Sequence, residues 1–283
     1  MKFLSYKTGE KTSFGMVTSA GIVDAGKIFA GKFTDLKAVI EAAALDEVAA
    51  ACINQPADLG EDDIEFIPVV PNPNKILCIG LNYETHRKET GRDKTSHPAI
   101  FTRFADSQIG HKQPILMPKV STRLDYEGEL AVIIGKGGRY IDKSDAMNHI
   151  AGYSCYNDAT VRDWQRHTIQ FTPGKNFPST GAIGPYLVTP DEAGDVNSLN
   201  IQTRLNGEVM QDSNTNRLIF DIPDLIEYLS GFTELAPGDI IVTGTPGGVG
   251  DKREPPLYMK PGDEVIVEIE NVGLLLNTIH EEQ

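Results

Sequence analysis

The seven residues Glu129–Gly135, ELAVIIG, place the tightest constraint on the fold. After the glutamate no polar residue interrupts the run. A strand built from it must be covered on both faces, so it lies inside a sheet and not at its edge. Further runs of strand length are Lys75–Gly80, His149–Asn157, Tyr186–Thr189, Asp239–Thr243, Glu264–Ile269 and Leu274–Ile279. Ile201–Leu205 and Glu208–Gln211 flank Asn206-Gly207, a pair that supplies the positive φ of a two-residue hairpin turn. Ile222, Leu225, Ile226 and Leu229 share one helical face, with Pro223 in the first turn and Gly231 beyond the end. Most strands are joined by turns and few by helices. The pattern predicts an α+β, β-rich, mainly antiparallel architecture and not a doubly wound sheet.

The first 70 residues read as a small N-terminal α/β unit. Met1–Tyr6, Ser13–Val17 and Ile22–Asp24 are short strands, and Leu36, Val39, Ile40 and Ala43 give the helical period within Asp35–Ala51, with a restart at Leu45. The segment PVVPNPN, Pro68 to Asn74, holds three prolines in seven residues and predicts an extended connector. The expected division is 1–70, a small N-terminal domain, and 71–283, the catalytic domain.

A formal charge of −14 argues against sequence-independent nucleic-acid binding and against docking on an anionic membrane. No apolar run approaches the roughly 18–20 residues of a membrane span. The start, MKFLSYKTGEKTSFG, lacks the continuous apolar stretch of a secretory signal. Three widely spaced cysteines, Cys52, Cys78 and Cys155, form no CxxC and predict reduced thiols in a cytoplasmic protein.

Chemistry concentrates at Asp125-Tyr126-Glu127-Gly128-Glu129. On a strand, Glu127 and Glu129 point to one face, roughly 6–7 Å apart. Two such carboxylates either face water at a solvated strand end or require an opposite charge, which a divalent cation supplies. Asp158, ending another strand-like run, is a candidate third ligand. Arg162 and Gln165 lie four and seven residues on, on one helical face, where they could bind the distal end of a substrate. An oxygen-only set suits Mg²⁺ or Mn²⁺, and without a Cys/His spacing zinc is disfavoured. His86 and Glu89 are three apart. If their segment is helical they share a face, as an imidazole base and an orienting carboxylate.

Five blocks, IGLNYETHRKE (79–89), LDYEGELAVIIGK (124–136), YNDATVRDWQ (156–165), GKNFPSTGAIGP (174–185) and IIVTGTPGGVG (240–250), resemble the fumarylacetoacetate hydrolase family in content and order. The resemblance implies a β-roll catalytic domain behind a variable N-terminal domain, a homodimer, and Mg²⁺, Mn²⁺ or Ca²⁺ on Glu127, Glu129 and Asp158. It places Lys175 beside the reacting oxygen, the His86/Glu89 pair on a lid that orders when ligand binds, and Thr245 in a glycine-rich turn near the substrate. It implies chemistry next to the carbonyl of a small 2-oxo acid. The leading expectation is metal-dependent hydrolysis of a C–C bond in an acylpyruvate or β-diketo acid, in small-molecule catabolism. Decarboxylation, tautomerisation or hydration of oxaloacetate-like acids on the same metal site is the alternative. The residues after GKNF, Pro178-Ser179-Thr180-Gly181, depart from the family's usual Asp-Thr-Phe type of sequence, so no relative's substrate transfers directly.

Overall fold

The computed structural model describes all 283 residues. The strand Gly128–Ile134 lies inside an eleven-stranded sheet, between Ile150–Asp158 and Ile240–Val242, both antiparallel to it. All seven of its residues are buried. Leu130, Val132 and Ile134 enter one hydrophobic core, and Ala131 and Ile133 enter a second on the opposite face. The unbroken apolar run therefore reflects period-two alternation between two cores, each fully buried aliphatic side chain contributing about 1.5–3 kcal/mol.

The first core lies against a five-stranded sheet that contains Asn200–Leu205, Glu208–Asn214, Glu264–Ile269 and Gly273–Glu281, and against the helix Ile222–Phe232. Both sheets are open, and most pairings are antiparallel. Three short parallel pairings join 240–242 to 76–78, 181–182 to 108–109, and 279–281 to 115–117. Asn206 and Gly207 both have positive φ at the predicted hairpin. Asp221 caps the 222–232 helix by accepting from Asp224 N at 2.8 Å. That helix runs one residue past Gly231, so the glycine is not its terminator.

The second core is closed by two helices, Leu36–Glu41 and Leu45–Cys52, separated where Ala43 takes φ +51°. The N-terminal strand Lys2–Thr8 pairs with Gly181–Val188, so the first 70 residues and the rest share one sheet and one core. Two further sequence expectations differ from the structure, and one strand lies where none was expected. The strand expected at Tyr186–Thr189 begins at Gly181, because Gly181-Ala182 and Gly184-Pro185 carry little strand signal. Ala99–Arg103 is a strand that no periodicity announced. The helix expected from Asp158 shrinks to one turn, Arg162–Gln165, because Asp158 is the last residue of its strand.

Candidate active site

Glu127 immediately precedes the strand Gly128–Ile134, and strand pairing sets Gly128 opposite Asn157. Asp158 N donates to Glu127 O at 2.8 Å, which brings Asp158 beside Glu127 and Glu129. Ligand oxygens from the three carboxylates lie within 4.8 Å of one another, and all three residues are buried. Between the glutamates, Gly128 faces the other way. A Cβ there would lie 2.1 Å from Thr203 Oγ1, so only glycine lets this strand pack on the smaller sheet.

Buried cations surround the acids unevenly. Glu127 has Lys175 Nζ at 2.6 Å and Arg162 Nη2 at 2.7 Å, and Asp158 has Lys175 Nζ and Arg103 Nη1, each at 2.5 Å. Arg162 Nε also donates to Asp125 at 2.8 Å. Glu129 has no cationic partner and accepts only from Gly244 N at 2.5 Å. Burial, then the neighbouring Asp158 and Glu127, push its carboxyl well above the usual range. Burial also acts to raise Glu127, but Lys175 and Arg162 outweigh it and hold that group at about 2. Four buried carboxylates (125, 127, 129 and 158) thus face three cations (Arg103, Arg162, Lys175). The one acid left without a counter-ion is Glu129. This oxygen-only donor set fits a hard dication such as Mg²⁺ or Mn²⁺.

The helix Glu84–Glu89 carries the dyad. His86 Nδ1 lies 2.7 Å from Glu89 Oε1, while Glu89 Oε2 accepts from Gly248 N at 2.9 Å. Gly247 N donates to Thr85 Oγ1 at 3.0 Å, so the helix is docked on the glycine-rich turn. Asn82 anchors its entry, donating to Thr243 O at 2.8 Å and accepting from Phe220 N at 2.8 Å.

His86, Glu127, Glu129, Arg162, Gln165, Lys175 and Thr245 line one cavity of about 250 Å³, rimmed by Arg92, Arg166 and Lys252. Asp158 and Glu89 stand behind this lining. Arg162 and Gln165 do share a helical turn, with Nη1 donating to Gln165 Oε1 at 3.1 Å, but Asp158 is not on their helix. Sequence reasoning missed Arg103 and Gln211 and assigned no role to Asp125. Asp125 accepts from Tyr126 N at 2.9 Å, Gly250 N at 2.8 Å, Asp251 N at 2.9 Å and Arg162. A Cβ on Gly250 would lie 1.8 Å from Leu257 O, so glycine is required where the loop meets Asp125. The glycine at 250 was a signal, but its acidic partner lies 125 residues away.

An open β-rich scaffold with a buried acid cluster at the floor of a cation-rimmed pocket is the arrangement of an enzyme site for small molecules. The family model described as fumarylacetoacetate (FAA) hydrolase C-terminal matches residues 75–280, and the chain belongs to that family. It is 44% identical over 239 residues to the oxaloacetate tautomerase FAHD2A, mitochondrial, of Bos taurus, covering 84% of this chain and 76% of that protein. Among solved structures, a putative HpcE protein from Mycobacterium smegmatis superposes with a TM-score of 0.90 at 34% identity, covering 100% of both chains. Maleylpyruvate hydrolase from Sphingobium sp. SYK-6, in complex with manganese(II) and pyruvate, superposes with a TM-score of 0.84 at 27% identity, again over 100% of both chains.

Proposed function

We propose that this protein interconverts the keto and enol forms of a small 2-oxo acid of the oxaloacetate type, with a divalent cation on Glu127, Glu129 and Asp158. One observation carries the reading: Glu129, an acid without a counter-ion, opens into the same cavity as His86, whose other nitrogen is held by Glu89. A cation bound there, Mg²⁺ first and Mn²⁺ or Ca²⁺ as alternatives, supplies stabilisation for the charge that develops on the keto oxygen.

The chain's own residues do the rest. With Nδ1–H donated to Glu89, His86 Nε2 is free to take a proton from the carbon next to the keto group. Glu89 stabilises the imidazolium that results. The proton then passes to the former keto oxygen to complete the enol, and the reverse path regenerates the ketone. Lys175 holds Glu127 and Asp158 in place and offers its ammonium to the oxygen side of the substrate. Arg162 and Gln165 orient the far end, and Arg92, Arg166 and Lys252 attract an anionic substrate to the mouth.

Carbon–carbon hydrolysis, the leading expectation from the sequence, becomes the second reading. The 44%-identical relative is named a tautomerase, whereas the maleylpyruvate hydrolase is 27% identical. A homodimer, on the family resemblance, and a cytoplasmic location, on the three free cysteines, belong to the same proposal. No helix is long and apolar enough to cross a membrane, and the mitochondrial naming of the bovine relative speaks for that protein.

The deciding experiment follows the enol absorbance of freshly dissolved oxaloacetate beside a panel of acylpyruvates, with Mg²⁺ and with EDTA. Metal-dependent acceleration of enol loss, with no pyruvate release from the panel, is expected. Cleavage of an acylpyruvate without acceleration of oxaloacetate enolisation would replace the first reading by the second.

A further inference from the structure

Gln211 is 1% exposed and lies on the strand Glu208–Asn214, outside every motif that the sequence displays. Both ends of its amide are used. Oε1 accepts from Gly128 N at 2.9 Å, and Nε2 donates to Thr245 Oγ1 and to Pro246 O, each at 2.8 Å. Gly128 sits between Glu127 and Glu129, and Thr245 lines the cavity. One side chain from the smaller sheet therefore ties the acid-bearing strand to the glycine-rich turn that forms the opposite wall.

The tie also sets polarity. A threonine hydroxyl has one hydrogen and two acceptor sites. Thr245 donates its hydrogen to Gly128 O at 3.0 Å, and Gln211 occupies one acceptor site. A single lone pair is left for a ligand, and the hydroxyl has no hydrogen to offer. The geometry points to Gln211 as a positioning residue that presents Thr245 to the pocket as an acceptor only, so that the site selects ligands carrying a hydroxyl donor, the enol form over the keto form. This inference rests on the proposed reading of the pocket as a 2-oxo acid site.

The test combines kinetics with calorimetry on the full-length protein. Gln211→Met should raise KM for the enol form of oxaloacetate about 10-fold while kcat stays within about 3-fold, because it loosens Thr245, which meets the substrate, and leaves the proton transfer untouched. Its Kd for Mg²⁺ alone should stay within about 2-fold. In a Thr245→Val background the same change should cost less than about 2-fold in kcat/KM, since the two residues act as one unit. Thr245→Val should weaken the binding of tartronate, which carries a hydroxyl donor, about 10-fold in the presence of Mg²⁺, and that of oxalate, which carries none, less than about 2-fold. If Gln211→Met does not fold, Gln211→Leu, which removes both polar ends without adding a charge, takes its place with the same expected KM rise. An unchanged KM, an undiminished loss in the Thr245→Val background, or equal weakening of tartronate and oxalate would overturn the inference. Lack of oxaloacetate turnover in the unaltered protein would count against the proposed function alone, because the calorimetric comparison needs no catalysis.

Discussion

Lys175 Nζ lies 2.6 Å from Glu127 Oε2, and both residues are buried. The same ammonium reaches Asp158 Oδ2 at 2.5 Å, so one lysine holds together two of the three acids proposed to bind a cation. Asp158 and Glu127 raise its pKa against the opposing pull of burial, and it stays charged.

Replacing Lys175 by Met leaves Glu127 with Arg162 alone and Asp158 with Arg103 alone. Breaking a buried ion pair from one side costs about 3–5 kcal/mol, since the remaining charge is uncompensated. The metal-free variant should lose stability on that scale in denaturant titrations. Added Mg²⁺ should restore more stability to the variant than to the unaltered protein, because the dication replaces the missing positive charge. Equal stabilisation of both proteins by Mg²⁺ would show that the lysine and the cation do not share these acids.

Glu129 and Glu127 make opposite predictions for pH. The Glu129 carboxyl titrates well above the ordinary 4.5, through burial and the charges of Asp158 and Glu127. From 4.5 upward the unfolded chain has released this proton while the folded protein retains it, so the Glu129 contribution to stability falls as pH rises through the elevated value. Glu127 titrates at about 2, against 4.5 ordinarily, so its contribution is present above 4.5 and is lost as pH falls toward 2. Metal-free Glu129→Gln should therefore melt above the unaltered protein at about pH 8, and the difference should shrink toward about pH 5, while the acid limb due to Glu127 persists. Mg²⁺ should stabilise the unaltered protein and not the variant. Thermal melts across pH, with and without Mg²⁺, check each part; a variant that melts lower at alkaline pH would contradict the sign.

How legible was this site in the sequence? The triad was readable because Glu127 and Glu129 obey the two-residue period of a strand, and His86 with Glu89 because three residues span most of a helical turn. Asp158 is legible as a candidate ligand, but its local geometry is not: seven residues from Asp158 to Gln165 match two helical turns, whereas the chain leaves the strand only after Asp158. Arg103 and Gln211 were not readable. Arg103 meets Asp158 from 55 residues away, and Gln211 meets Gly128 from 83 residues away. Those meetings depend on how strands are ordered and how sheets stack, which no local spacing encodes. The fold shows the same division. The unbroken apolar run of ELAVIIG marks the inner strand, whereas Ala99–Arg103, at the end of the sheet path, carries no comparable pattern.

Glu89 combines two tasks that substitutions can separate. Its Oε1 meets His86 Nδ1 at 2.7 Å, and its Oε2 receives Gly248 N at 2.9 Å. Glu89→Gln keeps the shape and an acceptor but removes the charge that steadies a protonated imidazole. It should lower kcat by about 10²–10³-fold with KM within about 3-fold, the signature of an interaction made mainly in the transition state. Glu89→Ala should match that loss and also release the helix Glu84–Glu89 from the glycine-rich turn, raising amide exchange there and KM as well. If instead both variants raise KM equally and leave kcat intact, Glu89 serves as an anchor only, and His86 works without a carboxylate partner.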